Sequence, residues 1–280
     1  MTRRYTLLAW TAAAATYLLI VLGAVVRITG SGLGCGDHWP LCHGHLLPPF
    51  DDIGTVIEWS HRLVAALVSA LVVALVVYAW RLRRPVSSGI PGLAPGVSQP
   101  SSTAFISLGL LVVQVLLGAI TVKLELPPWT VVLHLGTAML LLATLLVAAR
   151  DTKLTPGDSP GNTLIGLAFV TILFGALTAN LGAAAACTGF PLCNGQVWPS
   201  AGGLASIQWL HRLLAYSLAV YVVWSAVRSQ RRAAWVLVGL VGLQVTVGAA
   251  TVLLGLPPAL QAAHMAVGAA VWAGVVLAAR

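Results

Sequence analysis

Long apolar runs, broken by short polar or Pro/Gly-rich segments, fill this chain from end to end. A helix needs about 20 residues to cross a ~30 Å hydrocarbon core. Eight runs reach that length, at about 6–27, 56–80, 103–123, 129–149, 163–182, 207–227, 233–254 and 259–279. The pattern predicts an all-α polytopic membrane protein with eight transmembrane helices. The first run is full length and ends in no clear small-residue cleavage site, so it is expected to remain as a span.

The polar positions repeat, and the repeat sets the architecture. Glu58-Trp59-Ser60-His61-Arg62-Leu63 returns as Gln208-Trp209-Leu210-His211-Arg212-Leu213. The segment Gln114 to Pro128, followed by His134, returns as Gln244 to Pro258, followed by His264. Gly23-Ala24 through Cys35 is echoed by Gly175-Ala176 through Cys187. The chain therefore divides into an N-terminal half, 1–150, and a C-terminal half, 151–280. Each half runs helix, cysteine-bearing loop, histidine helix, turn, helix, Leu-x-Leu-Pro-Pro loop, histidine helix. An even number of crossings per half keeps both in one orientation, which predicts two pseudo-twofold-related four-helix bundles about an axis along the membrane normal. Pro85–Ser102 and Thr152–Gly161 read as linkers without a chemical motif.

Composition agrees, with 59% hydrophobic and 8% charged residues. The net charge of +8 changes the picture only through its distribution. Arg3, Arg4, Arg81, Arg83, Arg84, Arg150, Lys153, Arg228, Arg231, Arg232 and Arg280 fall on one side; Asp37, Asp51 and Asp52 lie opposite, with Arg27 and Lys123. That positive-inside pattern puts both termini in the cytoplasm and the cysteine loops outside, as in a bacterial inner membrane. It also removes the case for nucleic-acid binding.

The four cysteines, Cys35, Cys42, Cys187 and Cys193, all fall in the two long outer loops. In an oxidising compartment, two intraloop disulfides are the simple expectation. Tetrahedral zinc sites usually show tighter spacing within each pair.

His61, His134, His211 and His264 carry the chemistry. Each lies about five residues inside its predicted helix, roughly 8 Å below the outer surface. An imidazole is costly in hydrocarbon unless paired or ligated, and a buried histidine bonded to Ser, Gln or a carbonyl is the plain alternative. Recurrence of one pair per half favours a ligand. Two imidazoles at one depth on facing helices are what axial ligation of a haem iron requires. His38, His43 and His45 lie in the first outer loop and read as solvated.

Arg62 and Arg212 follow two of these histidines. Their guanidiniums can pair with haem propionates, snorkel to headgroups, or meet loop carbonyls. Arg27 and Lys123 have the same choice between propionates and the interface. Glu58 precedes His61 on the same helix face, where the other half has Gln208. A carboxylate at one site and an amide at the other suggests two sites of different function, with Glu58 moving protons or stabilising positive charge. A helix-start glutamate favoured by the dipole is the plain reading. Trp39, Trp59, Trp198 and Trp209 fit an aromatic belt at the water interface.

Taken together, these residues resemble the haem A synthase family. The likeness rests on Arg27-x-Thr29-x-Ser31-Gly32-Leu33 leading into Cys35, Trp39-Pro40-Leu41-Cys42-His43-Gly44, and Glu58-x-x-His61-Arg62. Pro191-Leu192-Cys193-x-Gly195, His211-Arg212 and His264 carry it through the second half. Cys35-Gly36-Asp37-His38-Trp39 departs from the family, which more often has Pro after Cys and no His before Trp. The resemblance implies oxidation of the C8 methyl of haem O to a formyl group, giving haem A for cytochrome oxidase. It implies haem b as cofactor at His211 and His264, and substrate haem O at His61 and His134 with Glu58 essential beside them. It further implies substrate handling for Cys35–Cys42, a structural role for Cys187–Cys193, and as partners haem O synthase and oxidase assembly factors. A homo-oligomer stays open.

Two other classes compete. A membrane dihaem b-type cytochrome would carry electrons without a substrate haem and tolerate Glu58→Gln. A thiol–disulfide oxidoreductase would work through the outer cysteines and leave the histidines unexplained.

Overall fold

A computed structural model of the chain describes residues 2–48, 51–83, 102–150, 160–199 and 202–279. The two linkers read from the sequence fall almost wholly outside these ranges. The described residues form eight long helices: α1 (Arg3–Ile28), α2 (Ile53–Arg83), α3 (Thr103–Lys123), α4 (Pro128–Arg150), α5 (Pro160–Asn180), α6 (Leu204–Ser229), α7 (Arg232–Leu253) and α8 (Pro258–Ala278). All eight are long and apolar enough to cross a membrane, and among the described residues there is no strand. The helix count and order match the expectation. The starts of α1, α2, α5 and α6 each lie three residues before the predicted apolar run.

The chain reverses by the same devices in each half. α3 and α7 both end in a left-handed turn, at Glu125–Leu126 and Gly255–Leu256. The N–H of Leu126 donates to the Thr121 carbonyl and that of Leu256 to the Thr251 carbonyl, both at 2.8 Å, so late helix carbonyls are satisfied as in a Schellman cap. Pro128 and Pro258 then open the next helices, where a missing N–H costs nothing. After α1 and α5, Gly30 and Gly182 take left-handed conformations and lead into short 3-10 turns at Ser31–Leu33 and Ala183–Ala185.

Consecutive helices pack as pairs, α1 on α2, α3 on α4, α5 on α6 and α7 on α8. α1 also packs on α4 within its half, and α5 on α8. The halves meet through α1 against α8, α4 against α5, and α4 against α8. One continuous cluster of buried side chains crosses that seam, with Met139, Leu142 and Leu145 of α4 against Trp272 and Val275 of α8. The Trp272 indole N–H donates to the Met139 carbonyl at 2.8 Å, and the Tyr17 hydroxyl of α1 to the Ala266 carbonyl of α8 at 2.9 Å. The outward faces stay apolar, as at Leu18, Leu116 and Val220. In water such faces would aggregate; in lipid they are the expected surface.

Candidate functional site

The two cysteine loops are built alike and stand over the histidine helices. Cys35 bonds to Cys42 and Cys187 to Cys193, as expected. The first cysteine of each loop is anchored by a side chain of α2 or α6. The Cys35 N–H donates to a Glu58 carboxylate oxygen at 2.7 Å, and the Cys187 N–H to the Gln208 amide oxygen at the same distance. Glu58 and Gln208 are both buried. The exchange of Glu for Gln therefore keeps the anchoring bond and changes only the charge.

Arg62 and Arg212 complete this arrangement. Arg62 pairs with Glu58 through Nε, 3.1 Å from Oε1, and through Nη2. Its Nη1 donates to the His38 and Leu41 carbonyls at 2.7 and 2.6 Å. Arg212 donates to the carbonyls of Gly189 at 2.6 Å, Leu192 at 2.9 Å and Cys187 at 3.0 Å. Of the three roles open to these guanidiniums, the geometry displays the loop-carbonyl one. Both guanidiniums are turned toward the loops, and Arg212 also lines the cavity described below. Arg62 has its charge neutralised by Glu58; Arg212 faces an uncharged Gln208.

The loop histidines His38, His43 and His45 are exposed, as expected, while one of the four tryptophans departs from the belt. His43 is exposed, yet its Nε2 bonds the Gly34 carbonyl at 2.8 Å. Asn194 takes the matching place after Cys193 and donates to the Ala186 carbonyl at 2.9 Å. Trp209 is 5% exposed and packs on the Cys187–Cys193 disulfide with Tyr216 near it. It is a loop-to-helix packing residue, not part of an interfacial belt; Trp198, 74% exposed, suits the belt.

Below the loops lie the four imidazoles, about two turns inside their helices. Each sits over a glycine of the preceding helix. A Cβ on Gly175 of α5 would come within 2.8 Å of Cε1 of His211, and one on Gly248 of α7 within 2.8 Å of Cε1 of His264. In the N-terminal half the corresponding gaps are 3.3 Å from Gly23 to Nε2 of His61, and 3.2 Å from Gly118 to Cε1 of His134. Any larger residue would push the ring out of place. The sequence signal for two of these glycines is the repeat of Gln114-x-x-x-Gly118 as Gln244-x-x-x-Gly248. The glutamines belong to the site as well. The amide nitrogens of Gln114 and Gln244 lie 3.1 and 3.3 Å from Nε2 of His134 and His264. Nδ1 of His211 donates to the Thr171 carbonyl at 3.1 Å, which fixes the tautomer and leaves Nε2 its lone pair.

His211 and His264 line one cavity between α5, α6, α7 and α8, of about 1550 Å³ with the open space at its mouth included. Its wall is mainly Ala, Val, Gly and Thr, and among the described residues no Asp or Glu lines it. Nδ1 of His264 is buried there without a hydrogen-bond partner among the described residues. A tetrapyrrole iron suits these residues on four counts: two imidazoles at one depth, glycines that leave room beside each ring, an apolar wall, and basic groups at the outer rim. His61 and His134 hold the matching places in α2 and α4, close enough to interact electrostatically.

Residues 6–276 match the sequence profile of a family described as "COX15-CtaA: Cytochrome oxidase assembly protein". The chain is 34% identical over 229 residues to a protein named heme A synthase from Alkalihalophilus pseudofirmus, covering 75% of this chain and 73% of that one. It is 35% identical over 263 residues to a heme A synthase from Symbiobacterium thermophilum, covering 84% and 81% of the two chains. A third heme A synthase, from Shouchella clausii, is 34% identical over 226 residues, covering 74% and 71%.

Proposed function

This chain belongs to the COX15-CtaA family of cytochrome oxidase assembly proteins, and on that footing we propose that it is a haem A synthase. Its substrate is haem O, and the C8 methyl of that substrate becomes a formyl group. The change replaces two hydrogens by one oxygen and is a four-electron oxidation. The setting is a bacterial inner membrane, with both termini cytoplasmic and the disulfide loops outside.

The halves divide the work. His211 and His264 are the ligands of a resident haem b, which supplies a one-electron redox centre when bound. The observation that carries this reading is their shared access to one apolar, acid-free cavity. Gly175 and Gly248 keep room for the imidazoles, and the Thr171 carbonyl orients His211. His61 and His134 hold the substrate iron in the N-terminal half, on the matching glycines Gly23 and Gly118.

Glu58 is the acid of the substrate half. It stands a helical turn above His61, buried, with its charge shared with Arg62. Oxidising a porphyrin methyl builds positive charge on that carbon, and a buried carboxylate stabilises such charge far more than it would in water. If Arg62 turns toward a substrate carboxylate, Glu58 is released from its pair and becomes available to the methyl or to a proton. In the other half Gln208 keeps the loop in place but brings no charge, as a site that only holds a cofactor requires.

The test is expression of the chain with a source of haem O, followed by pigment extraction and mass spectrometry. Haem A should accumulate. A purified chain loaded with haem that yields none would remove this reading.

A further inference from the structure

Arg27 lies at the outer end of α1, in the N-terminal half, yet it lines the C-terminal cavity beside Gln261 and above His264. Its one hydrogen bond among the described residues is a long one, 3.4 Å from Nη2 to the Gln261 amide oxygen. The other arginine on this wall, Arg212, is satisfied by loop carbonyls. A guanidinium has five N–H donors, and one facing an apolar cavity with most of them unused is expensive unless an anion meets it. Among the described residues the cavity wall has no carboxylate to serve. An anion brought by the ligand would complete its pairing.

The seam between the halves shows that this cation is specific to one side. In the repeat, Ala179 stands where Arg27 stands and Val131 where Gln261 stands. The α1–α8 contact thus carries a cation and an amide, while its counterpart between α4 and α5 carries two small apolar groups. Gln261 is three residues before His264, about 4.5 Å higher along α8 at 1.5 Å per residue. A ligand with its metal at His264 and a carboxylate at its outer edge would meet Arg27 at that edge.

We propose that Arg27 binds a carboxylate of the tetrapyrrole held by His211 and His264, so that the N-terminal half supplies the anion-binding group of the C-terminal site. The inference rests on the haem-binding reading above, takes for Arg27 the propionate role that the sequence left open, and adds the crossing between halves. A bidentate Arg–carboxylate pair has the planar geometry for this contact.

The test titrates haem b and its dimethyl ester into the full-length chain carrying His61→Ala, purified without haem in detergent and followed by the Soret band. With Arg27 present, haem b should bind about 10- to 100-fold more tightly than the ester, the range of a charge-assisted hydrogen bond. Arg27→Ala should bring haem b down to the ester's affinity and leave the ester unchanged; Arg27→Lys should recover part of the difference. The midpoint potential of the bound haem should fall in Arg27→Ala, since a lost cation favours the ferric form. Equal affinity for haem b and ester with Arg27 in place would overturn the inference while leaving the haem site standing, and needs no Arg27 variant to fold. Binding of neither pigment would instead overturn the haem reading itself.

Discussion

The His211 imidazole lies so close over Gly175 that a single added carbon would sit 2.8 Å from its Cε1. Gly248 and His264 stand in the same relation. Small-to-large changes in packed sites cost about 1–3 kcal/mol. Gly175→Ala or Gly248→Ala should therefore weaken haem retention by about 5- to 100-fold while far-UV circular dichroism stays native. Gly23→Ala and Gly118→Ala, with gaps of 3.3 and 3.2 Å, should do less. Haem per protein, read as the pyridine haemochrome, makes the comparison.

Glu58→Gln tests charge apart from architecture. Gln208 already forms the loop-anchoring bond in the other half at the same 2.7 Å, so glutamine fits the site. The variant should keep both disulfides and its bound haem b, and lose haem A formation by at least about 100-fold, the lower range for a positioned acid–base group. Pigment analysis of the purified variant would show conversion continuing if the charge were idle.

The histidines should separate by half. His211→Ala or His264→Ala should remove the tightly bound haem seen in the optical spectrum. His61→Ala or His134→Ala should spare it and stop conversion of haem O. Haem b lost only from the N-terminal variants would reverse the assignment of the halves.

Trp272 should hold the halves together. It is 1% exposed, donates across the seam to the Met139 carbonyl, and touches Phe169. Trp272→Phe should cost about 1 kcal/mol for the lost hydrogen bond, and Trp272→Ala about 3–5 kcal/mol for the cavity. Thermal unfolding in detergent, monitored at a probe in each half, reads both.

Much of this protein is written along the chain. Eight apolar runs, the duplicated His-Arg and Gln-to-Pro-Pro segments, and the cysteine spacing determine the helix count, the two halves, both disulfides and the four imidazoles. They do so because a transmembrane helix must satisfy its backbone within itself, so its length and periodicity are local properties. Partner choice is not local. That Arg62 and Arg212 spend their donors on loop carbonyls, that Trp209 is buried on a disulfide, and that each histidine rests on a glycine from another helix all depend on how helices pack. Arg27 is the clearest case. By position it belongs to the first half, and only the packing of α1 against α8 puts its charge in the cavity of the second.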